Sequence, residues 1–400
     1  MQIAKRMEPL QANVFADMDR AKAQAIANGQ QVIDLSLGSS DLPTPQHVLD
    51  AIATALPDPQ SHGYCLFSGT QAFRQAAADW YTRKFGGAVD PETEVLLLVG
   101  SQEGTAHLPL ALLNPGDFAL LMDPGYPSHA GGVYLASGQI YPMPLRAEDG
   151  FLPRFDEIPL AVLEQSRLMV LSYPHNPTTA SAPLSFWQEA VAFCQQHNLV
   201  LAHDFPYADV TFTGKPATSV LQADPDKTVS IEFFSMSKSY NMGGFRIGYA
   251  IGNPTIIRAL RQVKANVDFN QYRGIQRGAI AALNGPQDCV QQTVNTFRQR
   301  RDACVQAMQQ IGWNVSVPEA TMYLWAKLPE PWAQDSIDFC TRLVQATGVA
   351  MAPGRGFGKA GEGYVRIALV YPPEILTAAI EKVAQFLNLR NNMPFSGTQS

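Results

Sequence analysis

Between about residues 90 and 250, apolar residues gather in seven short runs, at 95–99, 118–122, 139–145, 168–173, 199–202, 228–234 and 246–251. Each run is bounded by Gly, Pro or Asp and is short for a buried helix, so the pattern predicts strands covered on both faces. Helical periodicity fills the intervals. The clearest case is 185–197, SFWQEAVAFCQQH, where Phe186, Ala190, Phe193 and Cys194 share a face and Ser185 stands where an N-cap belongs. Strand and helix in alternation predict an α/β fold, a mostly parallel seven-stranded sheet with helices on both faces.

After Gly252 the pattern lengthens into helices at 254–266 and 271–310. A smaller α+β segment follows, with strands at 323–328 and 364–370 and helices at 336–347 and 373–387. This predicts a large domain over residues 41–290 and a small domain over 291–400. Residues 1–40 are expected to form an N-terminal arm and part of the small domain, and the polar residues 391–400 a frayed tail.

With 400 residues, 46% of them hydrophobic, the chain can bury a large core without disulfide or metal support. Lys+Arg 29 against Asp+Glu 35 gives a net charge of −6, which argues against nucleic acid as a partner. The five cysteines are odd in number, dispersed and free of any C-x-x-C pair, so a reducing, cytoplasmic setting is expected. No apolar stretch has the length of a signal peptide or a membrane span. The seven histidines are scattered, which predicts no metal site. Gly356-Phe-Gly358-Lys-Ala-Gly361 matches a dinucleotide-binding spacing, but strand-like sequence follows it where a helix is required.

Chemistry concentrates at the ends of the apolar runs. In Ser235-Met-Ser237-Lys238, a lysine among serines follows the strand-like IEFF, and Arg246 comes eight residues later. A lysine desolvated at a strand end becomes nucleophilic toward an aldehyde, and hydroxyls with an arginine suit a phosphate dianion. Together they describe a Schiff-base lysine beside a phosphate cup, which suggests pyridoxal 5′-phosphate; taken singly, Lys238 reads more readily as a solvated strand-end lysine. Asp204, in LAHDFPY, ends another apolar run, where a bare carboxylate is costly and a protonated pyridine nitrogen would pair with it. Tyr207 and Asn176, the latter in SYPHNPT, are placed to reach the ring's phenolate oxygen. Ser101, opening a helix in VGSQEG, is either a plain N-cap or a phosphate ligand at the helix N-terminus. Tyr126, in DPGYP, offers a ring to stack on the cofactor.

These blocks, in this order, resemble the class I/II, fold-type I pyridoxal-phosphate aminotransferases over about residues 38 to 366. The resemblance implies that Lys238 binds the cofactor aldehyde and moves the proton in catalysis. It implies that Asp204 pairs with the pyridine nitrogen, Asn176 and Tyr207 with the phenolate oxygen, and Tyr126 with the ring face. Ser101, the Gln102 backbone, Ser235, Ser237 and Arg246 would hold the phosphate. Tyr64 would reach the phosphate of a neighbouring subunit, implying a homodimer with shared active sites. Arg366, in YVRIAL, would fork onto the substrate α-carboxylate, and Gly38 would offer its backbone to the same group.

The wording HGY…SG, GSQEG, DPGYP, FNQYRGIQ and GEGYVRIAL is most similar to the LL-diaminopimelate aminotransferase branch. There Asn270 would be a substrate ligand. Two positions depart from the branch: Phe15 replaces a tyrosine and Gln102 a lysine; Arg273, beside Asn270, could restore the charge but reads more readily as an ordinary helix-surface arginine. Three functions stay open at this level. One is a ping-pong aminotransferase acting on LL-diaminopimelate or an alanine- or glutamate-type donor, with 2-oxoglutarate or pyruvate as acceptor. The others are a pyridoxal-phosphate lyase acting on Cys–S conjugates and a non-catalytic regulatory protein that keeps the cofactor.

Overall fold

The computed structural model describes residues 3–11 and 16–391. All seven runs are strands: β1 Val95–Leu98, β2 Phe118–Asp123, β3 Gln139–Pro144, β4 Ser166–Leu171, β5 Val200–Asp204, β6 Ser230–Ser235 and β7 Gly248–Gly252. They form one sheet in the order β1-β7-β6-β5-β4-β2-β3. Every neighbouring pair from β6 to β3 is parallel, and β7 runs antiparallel to both its neighbours. Side-chain alternation explains the uninterrupted apolar runs. Leu97, Leu120, Leu171, Leu201 and Phe234 face one core, with Trp80 and Trp187 on the helices above them. Leu96, Leu121, Val170, Ala202 and Phe233 face another, with Leu108, Val133 and Leu260. Coverage on both faces holds for six of the strands and fails for β3, which has a neighbour on one side only and leaves half of its residues exposed.

Two helix expectations need correction. The helix after β4 spans Leu184–His197 and begins at Pro183, which makes no side-chain cap, so Ser185 is not the N-cap. Proline holds the extended backbone from which the helix starts, and Ser185 lies inside the first turn. The stretch 271–310 is two helices, Arg273–Asn284 and Asp288–Gln310. Gly285 turns to an extended conformation before Pro286, which has no amide to continue the ladder.

The described residues divide into two compact units. One comprises residues 39–295 with 3–11 and 319–321, and the other comprises 16–38, 296–318 and 322–391. The first carries the seven-stranded sheet. The second holds an antiparallel sheet of β8 Tyr323–Lys327, β9 Ala352–Pro353 and β10 Tyr364–Ala368, in the order β9-β10-β8. In it Ile33–Asp34 also pairs in parallel with Val349–Ala350. Its Ser336–Thr347 helix is capped by the Asp335 carboxylate, which accepts from Asp338 N–H, and ends at Gly348 in the left-handed region. No described helix is long and apolar enough to cross a membrane.

Candidate active site

The carboxyl ends of β1, β2, β4, β5 and β6 lie along one edge of the large sheet, where β7 begins. Tyr126, Asn176, Asp204, Tyr207, Lys238, Ser101 and Arg246 all stand on the turns of that edge or at the strand end itself. Lys238 sits half-buried on a single helical turn, Met236–Ser239, immediately past β6. The topology therefore gathers residues up to 145 positions apart, from Ser101 to Arg246, because every parallel crossover returns to this side.

The part of the edge around Ser101 and Arg246 is shaped by absent side chains as much as present ones. Gly248, at the start of β7, is level with Leu98 on one side and Ser235 on the other. A Cβ there would lie 2.6 Å from Phe234 O and 2.7 Å from the Ser101 amide nitrogen. Gly100 has φ 78°, and a Cβ on it would lie 2.5 Å from a nitrogen of the Arg246 guanidinium. The Ser101–Leu112 helix begins directly after it, with no side-chain cap on its first turn. Ser235 Oγ accepts from Ser237 N–H at 3.2 Å, and Arg246 donates to Gly243 O at 3.1 Å from a left-handed backbone (φ 52°). Two serines, a helix N-terminus and an arginine are thereby packed together. Gln102 is exposed in the first turn of that helix.

Asp204 is the most constrained residue of the edge. It is buried, and its Oδ2 lies 3.0 Å from His129 Nε2, which must donate because a carboxylate only accepts. Its Oδ1 is equally buried and has no hydrogen-bond partner among the described residues. Below it, His203 and Glu232 are level on β5 and β6, fully buried, with Nδ1 and Oε1 2.6 Å apart. Glu232 also accepts from Ser219 Oγ at 2.7 Å and Val220 N–H at 3.0 Å. His175 is buried beside Asn176, bonded to Thr178 Oγ1 at 2.7 Å. Burial, reinforced by the nearby His129, pushes its pKa down to about 3, so it is a neutral ring. Tyr126 sets its ring edge-on to His129, 5.7 Å between centroids. Asn176 and Tyr207 are both buried.

Sequence reasoning missed His129 and Glu232. His129 lies three residues after Tyr126, on the first turn of the helix Pro127–Leu135, and that spacing was the available signal. Glu232 is a charge inside the run SIEFFS, the one ionisable residue of a fully covered strand.

The remaining candidates fall in different places. Asn270 donates to Cys65 O at 3.4 Å, and its Oδ1 is buried without a hydrogen-bond partner among the described residues. Arg273 donates to Gln60 O at 2.9 Å and to Tyr64 O at 2.8 Å, so it staples the loop that carries Tyr64. Tyr64 is 77% exposed and packs on Phe269, 5.3 Å between ring centroids. Arg366 and Gly38 belong to the smaller unit. The Arg366 guanidinium lies between the rings of Tyr323 at 4.3 Å and Phe357 at 4.7 Å and donates to Ser36 O at 2.7 Å. A Cβ at Gly38 would overlap the Tyr323 hydroxyl. Phe15 lies outside the described residues.

A model of the family "Aminotransferase class I and II" matches residues 30–383. The chain belongs to this family. Among relatives of this aminotransferase, the LL-diaminopimelate aminotransferase of Dehalococcoides mccartyi is 44% identical over 96% of this chain and 99% of its own length. Of solved structures, a Thermus thermophilus protein described as "probable N-succinyldiaminopimelate aminotransferase" is 43% identical, with a TM-score of 0.88 over 93% of this chain and 99% of that one. Substrate-bound BacF of Bacillus subtilis is 36% identical, with a TM-score of 0.88 over 100% and 98%. The aminotransferase fold is thus shared along the whole chain. Family membership favours amino-group transfer over the lyase and the regulatory alternatives.

Proposed function

We propose that this aminotransferase uses pyridoxal 5′-phosphate, held at the carboxyl edge of the large sheet, to move an amino group from an amino acid to a 2-oxo acid by a ping-pong mechanism. The observation that carries the cofactor is Asp204. Its Oδ1 is buried and orphaned while His129 holds the other oxygen, an arrangement that is costly until a cationic N–H meets it. A pyridinium nitrogen is such a group. The clustered Gly100, Ser101, Ser235, Ser237 and Arg246 supply the helix N-terminus, hydroxyls and guanidinium that a phosphate dianion requires.

When bound, the cofactor supplies an aldehyde to carry the amino group and a ring that withdraws electrons from the substrate Cα. Lys238 Nζ would hold the aldehyde at rest and, once released by substrate, would carry the proton between the substrate Cα and the cofactor's C4′. Asp204 keeps the ring nitrogen protonated, and His129 keeps Asp204 oriented. Asn176 and Tyr207 orient the phenolate oxygen, Tyr126 lies on the ring face, and Ser101, Gln102 N–H, Ser235, Ser237 and Arg246 hold the phosphate. Arg366 forks onto the substrate α-carboxylate with Gly38 N–H beside it. Its sandwich between Tyr323 and Phe357 supports that role, because a guanidinium fixed in plane loses little freedom on pairing. Tyr64, exposed on a stapled loop, reaches the phosphate of a second subunit in a homodimer. Five free cysteines support a cytoplasmic setting.

The names of the relatives support LL-diaminopimelate as a substrate; 2-oxoglutarate as acceptor and Asn270 as a ligand of that substrate rest on the sequence resemblance. Phe15 and Gln102 remove a hydroxyl and a cation, which supports an alanine- or glutamate-type donor with pyruvate as a further acceptor. Single amino acids added to holoenzyme decide between them. A donor should convert the visible band to that of pyridoxamine phosphate, a 2-oxo acid should reverse the change, and Asp204→Ala should turn over at least about a hundredfold more slowly. Release of ammonia and pyruvate without conversion would sink the transaminase reading. Turnover of alanine or glutamate alone would sink diaminopimelate.

A further inference from the structure

We infer that Lys264 is a charge-neutralising positioning residue for the phosphate cup, cancelling the Glu103 carboxylate that the Ser101–Leu112 helix carries in its first turn. The inference rests on the proposed cofactor and concerns residues outside the cup itself. Lys264 is completely buried, near the end of the helix Pro254–Val267. Its Nζ is 2.7 Å from Glu103 Oε1 and 3.0 Å from Asp268 Oδ1. The ligand atoms of Glu103, His107 and Asp268 lie within 4.8 Å of one another, an arrangement that suits a cation, and the lysine's own ammonium answers that need.

Glu103 has a structural task. Its other oxygen accepts from Val99 N–H at 2.5 Å, which fixes the turn from β1 through Gly100 to Ser101. Burial opposes its ionisation, yet the His107 ring 3.7 Å away and the Lys264 ammonium hold its carboxyl below the usual range. A carboxylate in a first helical turn suits the helix dipole. It also opposes any anion arriving at that same N-terminus, and in a poorly solvated site the repulsion is weakly screened. Lys264 offsets the buried Glu103 carboxylate that fixes the turn, while its second partner, Asp268, has a side chain about a third exposed and is screened by solvent. The same ammonium, through Asp268, steadies the segment leading to Gln271, whose amide donates to Leu98 O at 3.1 Å and Arg246 O at 3.2 Å.

The test is a titration of the full-length, cofactor-depleted protein with pyridoxal 5′-phosphate and, separately, with pyridoxal, which lacks the phosphate, following protein fluorescence. Lys264→Met should weaken the phosphorylated ligand by about tenfold or more and pyridoxal by less than about twofold. Glu103→Gln alone should bind the phosphorylated ligand within about twofold of wild type, and Glu103→Gln with Lys264→Met should recover that affinity. Equal losses for both ligands, or a double variant as weak as Lys264→Met, would overturn the inference. If Lys264→Met does not fold, the double variant decides it, since neutralising Glu103 should make the lysine dispensable. A wild type that takes up no pyridoxal 5′-phosphate would overturn the functional reading and this inference together; uptake without the phosphate-selective loss overturns this inference alone.

Discussion

A carboxylate at the end of a buried strand is stable only when both oxygens are occupied, and Asp204 meets that condition at one of them through His129. Its strand-end position made it legible in sequence, because an acidic residue closing an apolar run is rare without a partner. His129 was illegible for the opposite reason: nothing in PSHAGG separates a histidine that supports a carboxylate from one packed in a helix. His175 gives a test at this scale. Its pKa falls from about 6.5 in the unfolded chain to about 3 on burial, so protonation favours unfolding. Its contribution to stability is full above about pH 6.5 and is lost as pH falls toward 3, at about 1.4 kcal/mol per pH unit. Urea unfolding at pH 6.5, 5.5 and 4.5 should therefore show a shallower pH slope for His175→Asn than for wild type, by about one proton. Equal slopes would mean that His175 titrates alike in both states.

Six of the seven strands were legible because they are covered on both faces, which leaves continuous apolar runs such as VLLL and FALLM, whereas the edge strand Gln139–Pro144 is largely exposed and reads as the mixed QIYPMP. Helix ends were less so. Ser185 has the right chemistry for a cap, but Pro183 fixes the backbone two residues earlier; the 271–310 pattern hides its break because only Gly285-Pro286 interrupts it. Close approaches between elements leave still fainter traces, since glycine in FRIGYA resembles any strand glycine. Gly248 makes such an approach, and Gly248→Ala forces a methyl against Phe234 O and Ser101 N. The expected cost is about 1–3 kcal/mol in chemical denaturation, with a greater loss of affinity for pyridoxal 5′-phosphate than for pyridoxal. A variant as stable as wild type and binding both ligands normally would show that the helix start has slack.

At the scale of the whole molecule, the family was legible because the residues proposed to hold the cofactor come in a linear order that the parallel crossovers bring to one edge. The amino donor was not, since selectivity depends on pocket shape and on positions such as Phe15 and Gln102 whose single-letter identities carry no geometry. Charge illustrates the same point: the net charge of −6 counts Glu103 and Lys264 together with the surface groups, although these two pair with each other inside the protein. The central claim is that Lys238 carries the cofactor at that edge. Borohydride reduction of the holoenzyme, followed by digestion and peptide mass mapping, tests it directly. The account predicts phosphopyridoxyl mass on the peptide containing Lys238 and on no other; attachment at a different lysine, or none on a protein that transaminates, would contradict it.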